Sequence, residues 1–534
     1  NYPSERMGLI LWDHGSGSIN GVCFDEQYDY DSLTLGELDH ALNQVYDQMT
    51  DRFEFIGFDA CLMSTLETAN VLTPYARYMY ASQEMEPGSG WDYTSLLNNL
   101  AANPDQDGAQ LGEKVCREYY DHCADYGFGS QRSATFSIID LSKIDDVLIS
   151  MNEAFRVVYE QGDLGDVTRA VLEADSFGGN SVSEGYSNML DLGNMLDQLS
   201  GYGQEVRDAS QTLQSCVLYT MNGRLHKNAS GLSVYYPVSI QGSEELKIFS
   251  RICPSNYYYA LIDKIAYGAE NGSAADYDNS TLLSDMADIN EWLGEESGFT
   301  GDVSTNAGEF ADIEIGQMGV SDIYFDEDGI YTVSFDNMDE LAYACCSVGM
   351  DDDADGFFYL GTTEEVIYDI DRNCVTDNFD GSWPCINDNL LALELVNTTD
   401  SCSIYTCNVL LNDEVETNLR IEYDWEYDEW SVIGIWDGID EETGMASREV
   451  YELQDGDVIT PAYYWFSVDD DEDWYYGDDI VVDGDLEITY EYLPEGVYYY
   501  CFELHDIYGN VYYTPFTLQY VDEDGEVWVD GEFY

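Results

Sequence analysis

Positive charge is what this chain has least of. Its 534 residues carry 18 lysines and arginines against 107 aspartates and glutamates, a formal net charge of −89. So one-sided a surface repels polyanions, which excludes nucleic acid and anionic membrane as partners and favours solubility, cations and basic ligands. Adaptation to a salty or crowded extracellular medium accounts for the charge without any specific acidic function. Long apolar runs are also absent. Nothing approaches the roughly 18 to 20 residues that a helical membrane span requires, so no span is predicted. The five histidines, at positions 14, 40, 122, 226 and 505, are scattered. They offer no zinc-site spacing, and His122-Cys123 near Cys116 comes nearest to one. No tandem repeat of fixed period is visible.

What is present suffices for folded domains. A hydrophobic content of 45% supports packed cores despite the charge, and the length suggests about two to four domains. The 13 cysteines are an odd number. With one set aside as a free thiol, the rest permit disulfides: Cys116 with Cys123, Cys374 with Cys385 and Cys402 with Cys407 would close small loops, whereas adjacent Cys345 and Cys346 would not pair comfortably. That usage favours an exported, oxidising location.

Over the first 240 residues, short apolar runs alternate with helical periodicity. Strands are expected over residues 7–12, 54–60, 77–82, 134–140 and 232–236. Helices are expected over 34–49, 64–71, 93–100, 108–120, 141–159, 166–174, 186–199 and 204–217, the first opened by a Thr34/Glu37 capping box. This pattern predicts an α/β sheet covered on both faces, in a domain spanning residues 1–268. Residues 269–309 read as a Gly/Asn/Ser/Asp connector. Beyond them, Tyr/Val/Ile/Phe runs such as Ile330-Tyr331-Thr332-Val333-Ser334-Phe335 alternate with Asp/Gly turns. Their period of two predicts sandwich-like all-β domains, divided here into 310–400 and 401–534.

Two stretches of the first domain carry chemistry. Glu54-Phe55-Ile56-Gly57-Phe58-Asp59-Ala60-Cys61-Leu62-Met63 reads as a buried strand running into a turn that presents one cysteine. The apolar run at 7–12 ends in Asp13-His14-Gly15-Ser16-Gly17. As neighbouring parallel strands, the two would bring His14 and Cys61 to one carboxyl edge, where open α/β sheets hold their active sites. A thiol is mostly protonated near neutral pH and needs an imidazole before it can attack a carbonyl carbon. Spacing alone does not separate that arrangement from a core cysteine and an unrelated turn histidine.

The local sequence does. Leu9-Ile10-Leu11-Trp12-Asp13-His14-Gly15-Ser16-Gly17 and Ile56-Gly57-Phe58-Asp59-Ala60-Cys61-Leu62-Met63-Ser64 closely resemble the paired His-Gly and Asp-Ala-Cys motifs of clostripain-like cysteine peptidases. The resemblance continues through Ala81-Ser82-Gln83-Glu84-Met85-Glu86-Pro87-Gly88-Ser89-Gly90-Trp91-Asp92-Tyr93, Asp191-Leu192-Gly193 and Gly231-Leu232-Ser233-Val234-Tyr235-Tyr236-Pro237, and so covers roughly residues 1–240. It implies a caspase-like, mostly parallel sheet and cleavage of peptide or protein substrates after Arg or Lys through a Cys-His dyad. His14 would be the base or imidazolium partner, Cys61 the nucleophile, and the N–H groups of Gly15 and Cys61 the oxyanion donors. Asp13 reads as structural. Asp59 lies two residues before Cys61 on the same face. The resemblance makes it the pocket acid for a basic side chain, while the residues alone equally allow a cap on the following helix. Glu84, Glu86 and Asp92 are candidates for a second pocket acid.

The resemblance implies more. In the caspase-like sheet the histidine strand is the third, so two strands are expected upstream, on a cleaved N-terminal chain of the same precursor or in a longer precursor. Calcium dependence is common among the relatives. Asp351, Asp353 and Asp355, followed by Gly356, match the first half of a calcium loop, but Thr362 stands where an EF-hand needs glutamate, and hairpin turns account for such acidic runs as well. The whole reads as a secreted or cell-surface cysteine endopeptidase. The competing reading, motivated by the acidic, tyrosine-rich half, is a catalytically silent peptidase scaffold serving as a structural or adhesive surface protein.

Overall fold

A computed structural model describes the chain apart from residues 1–3, 5, 29, 47, 50, 125–127, 163, 240–242, 268–317, 327–328, 353–355, 400, 441–442, 449, 468–471, 485, 507–510, 523–526, 530 and 534. The expected connector at 269–309, Asp353 and Asp355 therefore lie outside the described residues. Two units form. One comprises Asn1–Asp163, Ala170–Ile313 and Asp437–Val450, the other Leu164–Arg169, Glu314–Trp436 and Tyr451–Tyr534.

The first unit is built on five strands that follow one another across the sheet in chain order: β1 (Gly8–Trp12), β2 (Phe53–Asp59), β3 (Ala76–Ala81), β4 (Thr135–Asp140) and β5 (Val217–Asn222). The first three are mutually parallel, β4 is antiparallel to β3, and β5 is antiparallel to β4, so the sheet is mixed. Alternation along β2 sorts its side chains. Phe55 joins Tyr80, Leu111, Val115, Phe136 and Ile138 in a core under the helix Gly108–Cys123, while Ile56 and Phe58 point the other way and are fully buried. Gly57 has to be glycine, since a Cβ there would lie 2.6 Å from the Trp91 indole. The helix Ile144–Gln161 packs against Gln204–Cys216 and Asn256–Tyr267. The Thr34/Glu37 capping box forms, with Thr34 N donating to Glu37 Oε2 at 3.1 Å and Glu37 N to Thr34 Oγ1 at 3.3 Å.

Three expectations are corrected here for physical reasons. The helix expected over 204–217 ends at Cys216, and Val217–Asn222, where no strand is expected, forms the edge strand β5, whose half-exposed Val-Leu-Tyr-Thr-Met-Asn gives no clean period. The run at 232–236 is not in the main sheet: Ser233–Tyr235 pairs with Met189–Asp191, which pairs with Ser176–Phe177. Asp191 also shortens the expected 186–199 helix, because its carboxylate caps Asn194 N at 2.8 Å and starts the helix at Leu192.

None of the 13 cysteines is joined in a disulfide, so the expected pairs do not form. Cys116 and Cys123 sit on one helix, about 10 Å apart along its axis, beyond the roughly 7 Å a disulfide spans. Cys402 and Cys407 are on one strand with opposite facing, and Cys374 and Cys385 are on separate strands. The disulfide argument for an oxidising location goes with them. Among the described residues, no helix is long and apolar enough to cross a membrane.

The second unit is all β. Its largest sheet runs through Leu341–Asp351, Gly356–Thr363, Cys402–Leu411, Val458–Ser467 and Gly496–Asp506 among others. The four-stranded sheet containing Tyr331–Phe335 packs against part of it across a core of Tyr331, Val333, Val348, Leu360, Tyr500 and Phe502. A second core gathers Ile386, Cys407, Leu419, Ile421 and Ile459. Facing sheets over shared cores make the sandwich-like arrangement expected from the period-two pattern. The division drawn near residue 400, however, falls inside one sheet, since Gly356–Thr363 pairs with Val458–Ser467 and Leu341–Asp351 with Gly496–Asp506.

One buried acid makes the first unit sensitive to pH. Glu67, fully buried on the helix Leu66–Leu72, accepts from Tyr235 N at 3.2 Å, and burial pushes its carboxyl up to about 7 from an ordinary 4.5. The folded state therefore holds this proton where the unfolded chain releases it. The contribution to stability is complete below about 4.5 and is lost as pH rises through about 7, on the order of 3 kcal/mol in all. Urea midpoints at pH 5 and pH 8 are expected to differ less for Glu67→Gln than for the unmodified chain. An unchanged difference would show that Glu67 titrates normally.

Candidate active site

The β1/β2 register sets Trp12 opposite Asp59, so the two strands end side by side, and Asp13 N reaches Asp59 O at 3.4 Å. Beyond them the backbones stay in contact. A Cβ on Gly15 would fall 2.3 Å from Cys61 O and 3.1 Å from Cys61 N, so only glycine lets the histidine loop lie against the cysteine turn. The turn itself is strained: Leu62 has a φ of 63°, left-handed and rare for a branched side chain.

Cys61 is fully buried. Its Sγ accepts from Glu86 N at 3.3 Å and donates to Glu86 O at 3.7 Å. Burial pushes the thiol up to about 12 even though Arg448 pulls it down, so the sulfur is protonated in this state. Asp13 Oδ1 accepts from His14 N at 2.8 Å, which orients the loop. The His14 imidazole donates through Nδ1 to Ala446 O at 3.0 Å. Among the described residues, no hydrogen bond joins His14 to Cys61. The sheet thus brings the two residues to one edge without linking them into a hydrogen-bonded dyad.

Beside them lies a buried cluster of polar side chains. Asp59, fully buried, accepts from Trp91 N (3.1 Å) and Tyr93 Oη (2.9 Å) through Oδ2 and from the Arg448 guanidinium (2.7 Å) through Oδ1. The guanidinium also donates to Asp13 O at 3.1 Å and to Pro87 O at 3.5 Å, and the Arg448 side chain is only 7% exposed. Asp59 caps no helix, since Thr65 performs that task for Leu66–Leu72. Of the three candidates for a second acid, Glu86 alone adjoins Asp59. Its Oε2 accepts from Trp91 Nε1 at 3.0 Å, and burial, with the Asp59 charge next in weight, raises its carboxyl well above the usual range. Glu84 instead faces His226 Nε2 at 3.2 Å and Gly178 N at 3.1 Å. Asp175 holds the other nitrogen of His226 at 3.0 Å. Burial opposes the imidazolium, but these two carboxylates outweigh it and raise the ring's pKa well above its ordinary value. Asp92 caps the helix Tyr93–Ala102 through Ser95 N at 2.9 Å.

Arg448 and its neighbours are the residues that sequence reasoning missed. They belong to a hairpin closed by an Ile439/Ala446 bridge and by Ser447 N donating to Gly438 O at 3.0 Å, and anchored by Ile439 N donating to Glu184 O at 2.7 Å. Nothing in Gly444-Met445-Ala446-Ser447-Arg448 signals a place beside His14.

Asp351 lies on a strand, and Asp352 accepts from Gly356 N (3.0 Å) and Trp465 Nε1 (2.9 Å) as a turn residue. Among the described residues, the one cluster with ligand spacing is Cys345, Glu503 and His505, whose ligand atoms lie within 4.8 Å of one another. That thiol-bearing set suits zinc better than calcium.

A model of the clostripain family of C11 peptidases matches residues 1–273. Among proteins of curated function none matches. Of solved structures, the chain is similar to an inactive zymogen C11 protease from Parabacteroides distasonis, at 18% identity and a TM-score of 0.33, covering 44% of this chain and 65% of that one, just under two thirds. It is also similar to a secreted C11 cysteine protease from Bacteroides thetaiotaomicron in complex with an irreversible peptide inhibitor, at 20% identity and a TM-score of 0.36, covering 52% of this chain and 74% of that one.

Proposed function

We propose, from the premise that this chain belongs to the clostripain family of cysteine peptidases, that it is an endopeptidase cutting after arginine or lysine. Cys61 Sγ attacks the carbonyl carbon of the bond to be cut, and the thiol proton passes to the His14 imidazole. The tetrahedral oxyanion takes hydrogen bonds from the Gly15 and Cys61 N–H groups, a role supported by the close approach of the Gly15 and Cys61 backbones beyond the carboxyl ends of β1 and β2. As the C–N bond breaks, the imidazolium gives its proton to the leaving amine. Water then hydrolyses the thioester and restores the thiol.

The observation that carries the specificity is the guanidinium of Arg448 on Asp59 at 2.7 Å, beside Cys61. Asp59 holds that guanidinium, and burial together with the Asp59 charge raises the Glu86 carboxyl beside it well above its usual range. One charge in a desolvated pocket pairs with one cationic side chain and rejects a neutral one, because a neutral occupant would leave the carboxylate unpaired. Turnover of an Arg-ending amide by the Arg448→Gln chain, and its loss when Cys61→Ala is added, tests the proposal. The silent-scaffold reading draws on the protonated thiol and on a histidine bonded elsewhere, and both features have another explanation.

A further inference from the structure

We propose that residues 438–448 are an internal ligand of the basic-residue pocket and hold the peptidase latent. The inference rests on the function proposed above. It begins from a mismatch in the chain: Asp437–Val450 packs within the first unit although the residues before and after it belong to the second. What the segment does there is specific. Arg448 puts its guanidinium on the fully buried Asp59 and on two backbone carbonyls, Asp13 O and Pro87 O. Two residues earlier, Ala446 O accepts a hydrogen bond from His14 Nδ1. Gly444 O accepts from Ser16 Oγ and from Asn20 Nδ2, the latter at 3.4 Å, in the loop and short helix that follow the histidine. One strand of the hairpin thus engages the pocket acid, the imidazole and the histidine loop together.

These are groups that a peptide with a basic side chain would need for itself. While the hairpin is seated, Cys61 has no exposed surface and its thiol stays protonated. The imidazole is bonded to a carbonyl rather than to sulfur. The ligand class is therefore a guanidinium-bearing segment, supplied here by the same polypeptide. A tethered ligand meets its site at an effective concentration of millimolar order, so a free basic peptide competes poorly until the hairpin withdraws. Arginine is scarce in this chain, where 18 basic residues face 107 acidic ones. Enclosing one on a carboxylate at the sheet edge is not what an acidic surface produces by default.

The test uses the full chain carrying Cys61→Ala, which cannot digest itself, and benzamidine as a free guanidinium-like probe. Calorimetric titration is expected to show at least tenfold tighter binding when Arg448→Gln is added. Equal affinities with and without Arg448 would overturn the latch and leave the basic pocket standing. Absence of binding in both folded chains would overturn the pocket and the latch with it. Should Arg448→Gln fail to fold, a second version keeps Arg448 and carries a recognition site for an unrelated protease between Glu441 and Glu442. Cutting it is expected to raise benzamidine affinity at least tenfold, and unchanged affinity after complete cutting overturns the proposal.

Discussion

Replacing Cys61 by alanine in the chain opened by Arg448→Gln is expected to lower kcat for an Arg-ending amide by at least about 10³-fold. Removal of a nucleophile leaves only the acceleration that pocket binding and oxyanion donors supply, and in enzymes of this kind that residue is small. The substitution itself disturbs little. Cys61 Sγ has only weak sulfur hydrogen bonds to the Glu86 backbone, and alanine keeps the Cβ that packs in the turn. A fall in kcat at an unchanged melting temperature therefore reports chemistry rather than folding. Release of the amine product at saturating substrate measures it, and a loss of less than tenfold would remove Cys61 from the mechanism.

Asp59→Asn in the same open chain is expected to lower kcat/KM for an Arg-ending substrate by about 30- to 5,000-fold, as follows from the roughly 2 to 5 kcal/mol at stake in a buried, hydrogen-bonded charge pair. Asparagine has nearly the same shape but can satisfy only one side of this site. If its amide oxygen keeps the bonds from Trp91 N and Tyr93 Oη, its NH₂ faces the substrate's guanidinium, donor against donor, on the side where Arg448 sits in the unmodified chain. If it turns over, those two donors are stranded. The loss should be confined to basic substrates, so the ratio of kcat/KM for Arg over a neutral residue of similar length falls by the same factor. An equal loss on both substrates would mean that Asp59 shapes the turn before Cys61 and does not read the side chain.

The sequence was informative where its signals were local. The strands at Gly8–Trp12 and Phe53–Asp59, the Thr34/Glu37 box and the histidine and cysteine turns all come from short patterns whose cause lies within a few residues. Edge strand Val217–Asn222 carries no such pattern, because half-exposure on one side of a sheet erases the contrast between faces. Glu84 and Asp92 lie in the stretch that resembles the family, but where each carboxylate points depends on His226, Gly178 and Ser95, which spacing does not reveal. The disulfides were inferred from counting, and the geometry of one helix and one strand undoes two of them. Arg448 reaches Asp59 across 389 residues, a separation over which no periodicity reports.

The central claim is that Cys61 is the nucleophile of a site that reads a basic side chain. Its most direct measurement is peptide mapping after brief exposure of the Arg448→Gln chain to a thiol-alkylating ketone ending in arginine. The account predicts one adduct, on Cys61, formed faster than with the same ketone ending in a neutral residue and suppressed by benzamidine. An adduct spread over other cysteines at comparable rates, or a Cys61 left unmodified while the chain remains folded, would contradict it.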